Sequence, residues 1–159
     1  MIDQISIDRI KKLHPKLVID AQDIITSLDK RGVTIRITQG LRTISEQDAL
    51  YSIGRSIQGK VVTNAKGGQS YHNYGLAIDF CLLKKDGGVS FNIKDDLDQD
   101  GQADWMEVVE EFAKKGWTWG GTWKFADTPH FEKTFGYNFH QLLQMITDKK
   151  TDVNGYVLI

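Results

Sequence analysis

Leu76-Ala77-Ile78-Asp79-Phe80-Cys81-Leu82-Leu83 is the stretch on which the fold turns. It is apolar except for one carboxylate and reads as a buried strand entered through Gly75. Asp86-Gly87-Gly88 follows, a strong hairpin signal, and Val89-Ser90-Phe91-Asn92-Ile93 alternates on the return. Upstream the periodicity is mostly helical. Ile7, Ile10 and Leu13 mark a short opening helix. Pro15 suits the first turn of a second, whose stripe is Leu17, Val18, Ala21, Ile24, Ile25 and Leu28, with Gly32 as its C-terminal cap. Val33-Thr34-Ile35-Arg36-Ile37 alternates with period two and predicts a strand. Gln39-Gly40-Leu41-Arg42 is a turn, and Thr43 with Glu46 has capping-box spacing, so a helix is expected from there to about Gly54.

Downstream, Trp105, Val108, Val109 and Phe112 lie on one face of a helix that stops at Gly116. Trp117-Thr118-Trp119 and Pro129-His130-Phe131 read as short strands around a Gly120-Gly121 turn, and Phe139, Leu142, Leu143 and Ile146 mark a last helix. Helices first and hairpin-linked strands later predict an α+β fold, an antiparallel sheet with flanking helices. A chain of 159 residues is one domain's worth. Residues 1–146 are expected to form it, and 147–159 to be a tail, either a docking strand or the start of a linker.

The composition narrows the function. A net charge of −1 gives no electrostatic footprint for nucleic acid. The longest apolar run is four residues, so no membrane insertion is expected. No secretory signal is visible at Met1-Ile2-Asp3-Gln4. Cys81, the single cysteine, reads as a small buried side chain. The charge is unevenly spread: six acids and no base lie between Asp95 and Glu107, which leaves the rest of the chain cationic and suggests a local cation site.

Asp79 is the informative residue for chemistry. A carboxylate in that apolar run is costly unless paired, bonded or bound to a metal. A turn can bring His72 to it, and His130 can arrive from a neighbouring strand. Two imidazoles and one carboxylate with an open fourth position suit catalytic zinc. Asp127, three residues before His130, is then free to act as general base. The competing reading pairs Asp79 with an arginine and leaves both histidines ordinary; spacing alone does not separate the two. His14 reads as a helix cap or surface residue and His140 as structural or exposed. Trp105 fits its helix stripe as core, whereas Trp119 and Trp123 flank Gly120-Gly121 near Asp127, so one of them is expected to line a substrate groove.

Ser70-x-His72-x-x-Gly75-x-Ala77-x-Asp79 followed by Asp127-x-x-His130 resembles the LAS-type metallopeptidases. From about His14 to Tyr137 the chain is similar to their L-alanyl-D-glutamate peptidase branch, the CwlK-like cell-wall hydrolases and phage endolysins. Gln39-Gly40-Leu41-Arg42-Thr43, Glu46-Gln47, Ala65-Lys66-Gly67-Gly68 and Trp119-Gly120-Gly121-x-Trp123 carry the rest of the likeness. The resemblance implies a zinc site in a central cleft, held by His72, Asp79 and His130, with Asp127 as base. It implies that Arg42 steadies an oxyanion or a substrate carboxylate, and that Ser70 and Gln39 contact substrate. It further implies a monomeric zinc endopeptidase that cuts the L-Ala–D-Glu bond of bacterial peptidoglycan. The D-Ala-D-Ala branch carries glutamate where this chain has Asp127. A D,D- or L,D-carboxypeptidase on the same site and a non-catalytic zinc- or calcium-binding wall module are the rival readings. With the wall as substrate and no leader in view, the chain is expected to be either an endolysin held in the cytoplasm until release or a trimmed secreted protein.

The acidic stretch has a template of its own. Asp96-Leu97-Asp98-Gln99-Asp100-Gly101-Gln102-Ala103-Asp104-Trp105-Met106-Glu107 matches a twelve-residue EF-hand loop. Asp96, Asp98, Asp100, Asp104 and Glu107 are the expected calcium ligands, with the Gln102 carbonyl. The departure is that a hairpin strand precedes the loop where an EF-hand has a helix. The alternative is an Asp-rich turn that caps the following helix.

Overall fold

The computed structural model describes residues 1–159. Five helices surround one antiparallel sheet: α1 (Gln4–Ile10), α2 (Pro15–Arg31), α3 (Ile44–Ser52), α4 (Asp104–Lys114) and α5 (Phe139–Thr147). The strands are β1 (Ile35–Gln39), β2 (Ala77–Leu83), β3 (Val89–Ser90), β4 (Thr118–Trp119) and β5 (His130–Glu132). Their order is β1-β2-β5-β4, with β3 also on β2. All pairings are antiparallel, as the hairpin pattern predicts.

β2 is the axis of the sheet. Ile78, Phe80 and Leu82 face the main core, with Trp105, Phe112 and Phe131. Phe112 stacks on Phe131 at 4.0 Å between ring centroids, and Phe80 lies 4.3 Å from Trp105. Asp79 therefore points to the opposite face, because successive side chains on a strand alternate.

The helices start and stop where their caps dictate. Thr43 and Glu46 form a reciprocal capping box on α3. Pro15 occupies the first turn of α2, and His14 Nδ1 accepts from the backbone N–H of Lys16. Leu17, Ala21, Ile24, Ile25 and Leu28 are buried along its inner face. Gly32 closes it in the left-handed conformation, at φ 89°.

That cap corrects the first predicted strand. The Val33 N–H donates to Leu28 O to finish the helix, so it is not free for the sheet, and β1 begins at Ile35. The strand also runs further than expected, to Gln39, across a register shift between Ile37 and Gln39. The extra residue, Thr38, makes a bulge beside Asp79. Another correction concerns β3, which ends at Ser90 rather than Ile93. The edge of β2 it would continue along is taken: Phe80 N donates to Pro129 O and Asp79 pairs with His130. Phe91 and Ile93 are left exposed. α1 ends at Ile10, and Leu13 is buried in the turn that follows.

The last residues fold back onto the body. Thr151 bridges Val157, Val157 is buried, and its carbonyl accepts from His14 Nε2 at 2.8 Å. The Tyr156 hydroxyl donates to Lys12 O at 2.7 Å. No helix is long and apolar enough to cross a membrane.

Candidate metal centre and its cleft

Three short segments converge on the open face of β2. His72 lies in a 3-10 turn, Tyr71–Tyr74. Ser70 starts that turn by accepting from the His72 N–H, and Asn73 Oδ1 accepts from Ser70 and Gly68 N–H groups. Gly75 ends it at φ 67°, where a Cβ would sit 2.5 Å from His14 N, so no larger residue fits. Asp79 follows on β2, and β5 delivers His130 directly opposite it.

The side chains meet. His72 Nε2 lies 3.2 Å from Asp79 Oδ2, and His130 Nδ1 lies 2.9 Å from Asp79 Oδ1. The imidazoles stand edge to face, 5.2 Å apart and 75° inclined. Asp79 has no arginine partner; the histidines are its partners.

Each ring is held from behind. His72 Nδ1 is 2.8 Å from Gly40 O. A carbonyl only accepts, so Nδ1 carries a hydrogen, and Nε2 is the nitrogen that faces Asp79. His130 Nε2 is 2.9 Å from Glu132 Oε1, which leaves Nδ1 facing inward. Burial alone pushes the Asp79 carboxyl up, but His130 and His72 outweigh it and hold it well below the usual carboxylate range. Burial pulls His130 down, and the Asp79 and Glu132 carboxylates outweigh that and raise it to about 9.

These residues fit a zinc ion. One ligand atom from each of His72, Asp79 and His130 lies within 4.8 Å of the others. Tetrahedral zinc with nitrogen and oxygen ligands at 2.0–2.2 Å would space them by roughly 3.3–3.5 Å. The observed 2.9 and 3.2 Å need only a slight opening. The outward nitrogens already hold the acceptors that orient ligating histidines.

A cleft of about 380 Å³ opens over this cluster, lined among others by Arg42, Ser70, Val62, Thr63 and Asp127. A larger hollow of about 600 Å³ lies elsewhere, beside Asp98 and Asp104, and holds none of these histidines. Asp127 reaches the cleft from the loop before β5. Its N–H donates to Gly120 O at 2.9 Å and its carbonyl accepts from His130 N at 3.2 Å. Both Trp105 and Trp119 donate their indole N–H to Thr128 O, which clamps the loop. Desolvation by the cleft walls pushes the Asp127 carboxyl up from its ordinary value.

Arg42 is fixed at the mouth of α3. Its N–H donates to His72 O, and Nη1 donates to Oε1 of the fully buried Gln47. Its Nε is buried and unpartnered. Ser70 lines the cleft. Gln39 does not: its amide donates to Leu41 O. Trp123 is the tryptophan beside the site, 5.4 Å from the His130 ring, while Trp119 is committed to Thr128. His14 is the predicted cap and His140 is exposed. Glu132 was not among the residues the motif suggested. Alternation along a strand at 130–132 places it on the same face as His130, and that is the signal that finds it.

The site's neighbourhood is shared with known peptidases. A model of the D-alanyl-D-alanine carboxypeptidase family matches residues 63–133, the span that contains His72, Asp79, Asp127 and His130. The peptidoglycan L-alanyl-D-glutamate endopeptidase CwlK of Bacillus subtilis (strain 168) is 48% identical over 121 residues, 76% of this chain and 72% of that protein. The crystal structure of the L-Ala D-Glu endopeptidase ChiX of Serratia marcescens matches with a TM-score of 0.55 and 25% identity, over 85% of this chain and 91% of that one.

Proposed function

The chain belongs to the peptidase family of CwlK, and on that premise we propose that it is a zinc-dependent endopeptidase cutting the L-Ala–D-Glu bond of peptidoglycan stem peptides. The observation that carries the reading is Asp127. It is a solvent-exposed carboxylate that lines the same cleft as His72, Asp79 and His130 and stands outside the cluster those three form. A closed structural site has no use for such a group.

Zinc held by His72, Asp79 and His130 would supply a Lewis acid to polarise the scissile carbonyl and acidify water. Asp127 takes the proton of the attacking water on its carboxylate and later hands it to the leaving amine of D-Glu. The Thr128 clamp keeps that carboxylate in place between the two transfers. Arg42 offers guanidinium hydrogens to the developing oxyanion or to a substrate carboxylate, with Gln47 holding the group rigid. Ser70 and Trp123 border the bound peptide.

We infer a monomer as the acting unit, because His72, Asp79, Asp127 and His130 meet within one fold around a single cleft. The peptidase unit runs through α5, to about residue 146, with the remainder docked on it. The wall as substrate places the action outside the cytoplasm. Digestion of purified peptidoglycan with mass spectrometry of the new termini tests the reading. New N-terminal D-Glu, or its amidated form, is the expected product. Free D-Ala would make the protein a carboxypeptidase, the activity for which the matching family model is named. No new termini at all would reduce it to a wall-binding module.

A further inference from the structure

The loop between β3 and α4 and the first turn of α4 take no part in the reaction above, yet together they hold five carboxylates close to one another. One oxygen each from Asp96, Asp98 and Asp104 lies within 4.8 Å of the others, and the same holds for Asp98, Asp100 and Glu107. Acidic loops of this sort often fold around their own backbone N–H groups, and part of this one does. Asp96 accepts from Asp100 and Gly101, and Asp104 Oδ1 accepts from Leu97.

Glu107 is different. Its side chain is 1% exposed. Oε1 accepts from Arg31 Nε at 2.7 Å. Oε2 is buried with no hydrogen-bond partner. An ionised oxygen with neither water nor donor is costly. Its nearest acidic neighbours, Asp98 and Asp100, make the position worse by repulsion. Arg31 also binds Glu110 and Glu111, so the ion pair ties Glu107 to the end of α2.

A cation among the three carboxylates removes the deficit. We propose that Asp96, Asp98, Asp100, Asp104 and Glu107 hold one calcium ion, with Glu107 Oε2 as the ligand that closes the site and the Gln102 carbonyl completing it. The donor set is all oxygen, which suits a hard cation. It is rich in carboxylates and built on an irregular loop, which suits calcium better than magnesium with its strict octahedron and retained waters. The spacing from Asp96 to Glu107 is that of a twelve-residue calcium loop, and Gly101 makes its turn at φ 94°. Asp104 and Glu107 sit in the first turn of α4, so the ion would pin the start of the helix that carries Trp105 and Phe112 into the core.

The site stands or falls independently of the peptidase reading. The test is calorimetric titration of calcium chloride into zinc-loaded protein, with a thermal melt in parallel and magnesium chloride as the comparison. One calcium per chain is expected, with a dissociation constant of about 10⁻⁴–10⁻³ M, the range of weak extracellular modules, and a higher Tm. Asp100 is exposed, so Asp100→Asn will fold, and it should weaken calcium about tenfold or more. Glu107→Gln keeps the Arg31 contact and should weaken it further. Absence of calcium heat with an unchanged melt would overturn the proposal. Equal affinity for magnesium, or calcium affinity untouched in both variants, would overturn it as well.

Discussion

Glu132 lies against Nε2 of His130 at 2.9 Å, on the edge of the ring that faces away from Asp79. The two residues are i and i+2 on β5, so the strand itself aligns them. A carboxylate there fixes which nitrogen of His130 faces the cluster and would make that nitrogen a better ligand for the proposed zinc. Glu132→Ala is expected to weaken zinc about 10–100-fold while the fold persists, with Glu132→Gln milder because its amide oxygen still accepts. Competition against a chromophoric chelator measures it. Parent-like zinc affinity in Glu132→Ala would mean that the contact is incidental.

Asp127→Asn removes the proposed base and leaves the shape. Turnover on peptidoglycan should fall about 10²–10⁴-fold, with zinc content and melting temperature unchanged. Hydrolysis at close to the parent rate would remove Asp127 from the reaction.

Gly120 controls where Asp127 stands. A Cβ at Gly120 would meet Asp127 O at 2.6 Å, Asp127 Cβ at 3.2 Å and His130 Cβ at 3.3 Å. The backbone at Gly120 needs no positive φ, so the strain of Gly120→Ala falls on the loop it touches. That loop should shift by a fraction of an ångström. The expected outcome is a loss of activity on the order of 10²-fold in a protein that still folds and binds zinc. Full activity would show that Asp127 tolerates displacement.

Asp3 supplies the clearest acid-sensitive contact outside the site. It caps α1 at Ser6 and binds Arg36 Nη2 at 2.8 Å while nearly buried. Arg36 and Ser6 hold its carboxyl below the ordinary range. A depressed carboxylate stabilises the fold fully above its unfolded pKa of about 3.9. That contribution is lost as pH falls through the lower folded value. Asp3→Asn should cost about 1–3 kcal/mol at neutral pH. The gap from the parent should narrow below about pH 4 in denaturant melts across pH. A gap independent of pH would assign the cost to packing rather than charge.

Much of this was legible because local chemistry and tertiary structure agree. The capping box at Thr43 and Glu46, the left-handed Gly32 and the apolar stripe of α2 each act within a few residues. Asp79 was legible for the opposite reason: a carboxylate in a buried strand violates the local pattern, and such violations mark sites. What escaped the sequence depends on competition between segments. Val33 has the pattern of a strand residue, but its N–H finishes a helix. Phe91 and Ile93 alternate like a strand, but β5 has taken the edge they need. Gln39 stands in a matching motif, yet beyond the Thr38 bulge its amide turns to Leu41. None of these outcomes can be read from a window of ten residues.

The alternation of β2 sets a condition on how the protein folds. Ile78 and Phe80 flank Asp79 on the opposite face. If β2 paired one residue out of step, the carboxylate would be driven among Trp105 and Phe131, and a bare hydrocarbon would stand before the histidines. Misaligned chains are thus penalised twice, by a charge in oil and by the lack of a place for the metal. Uptake of zinc during refolding should then act as a proofreading step, retaining the correctly zipped sheet and letting the others reopen.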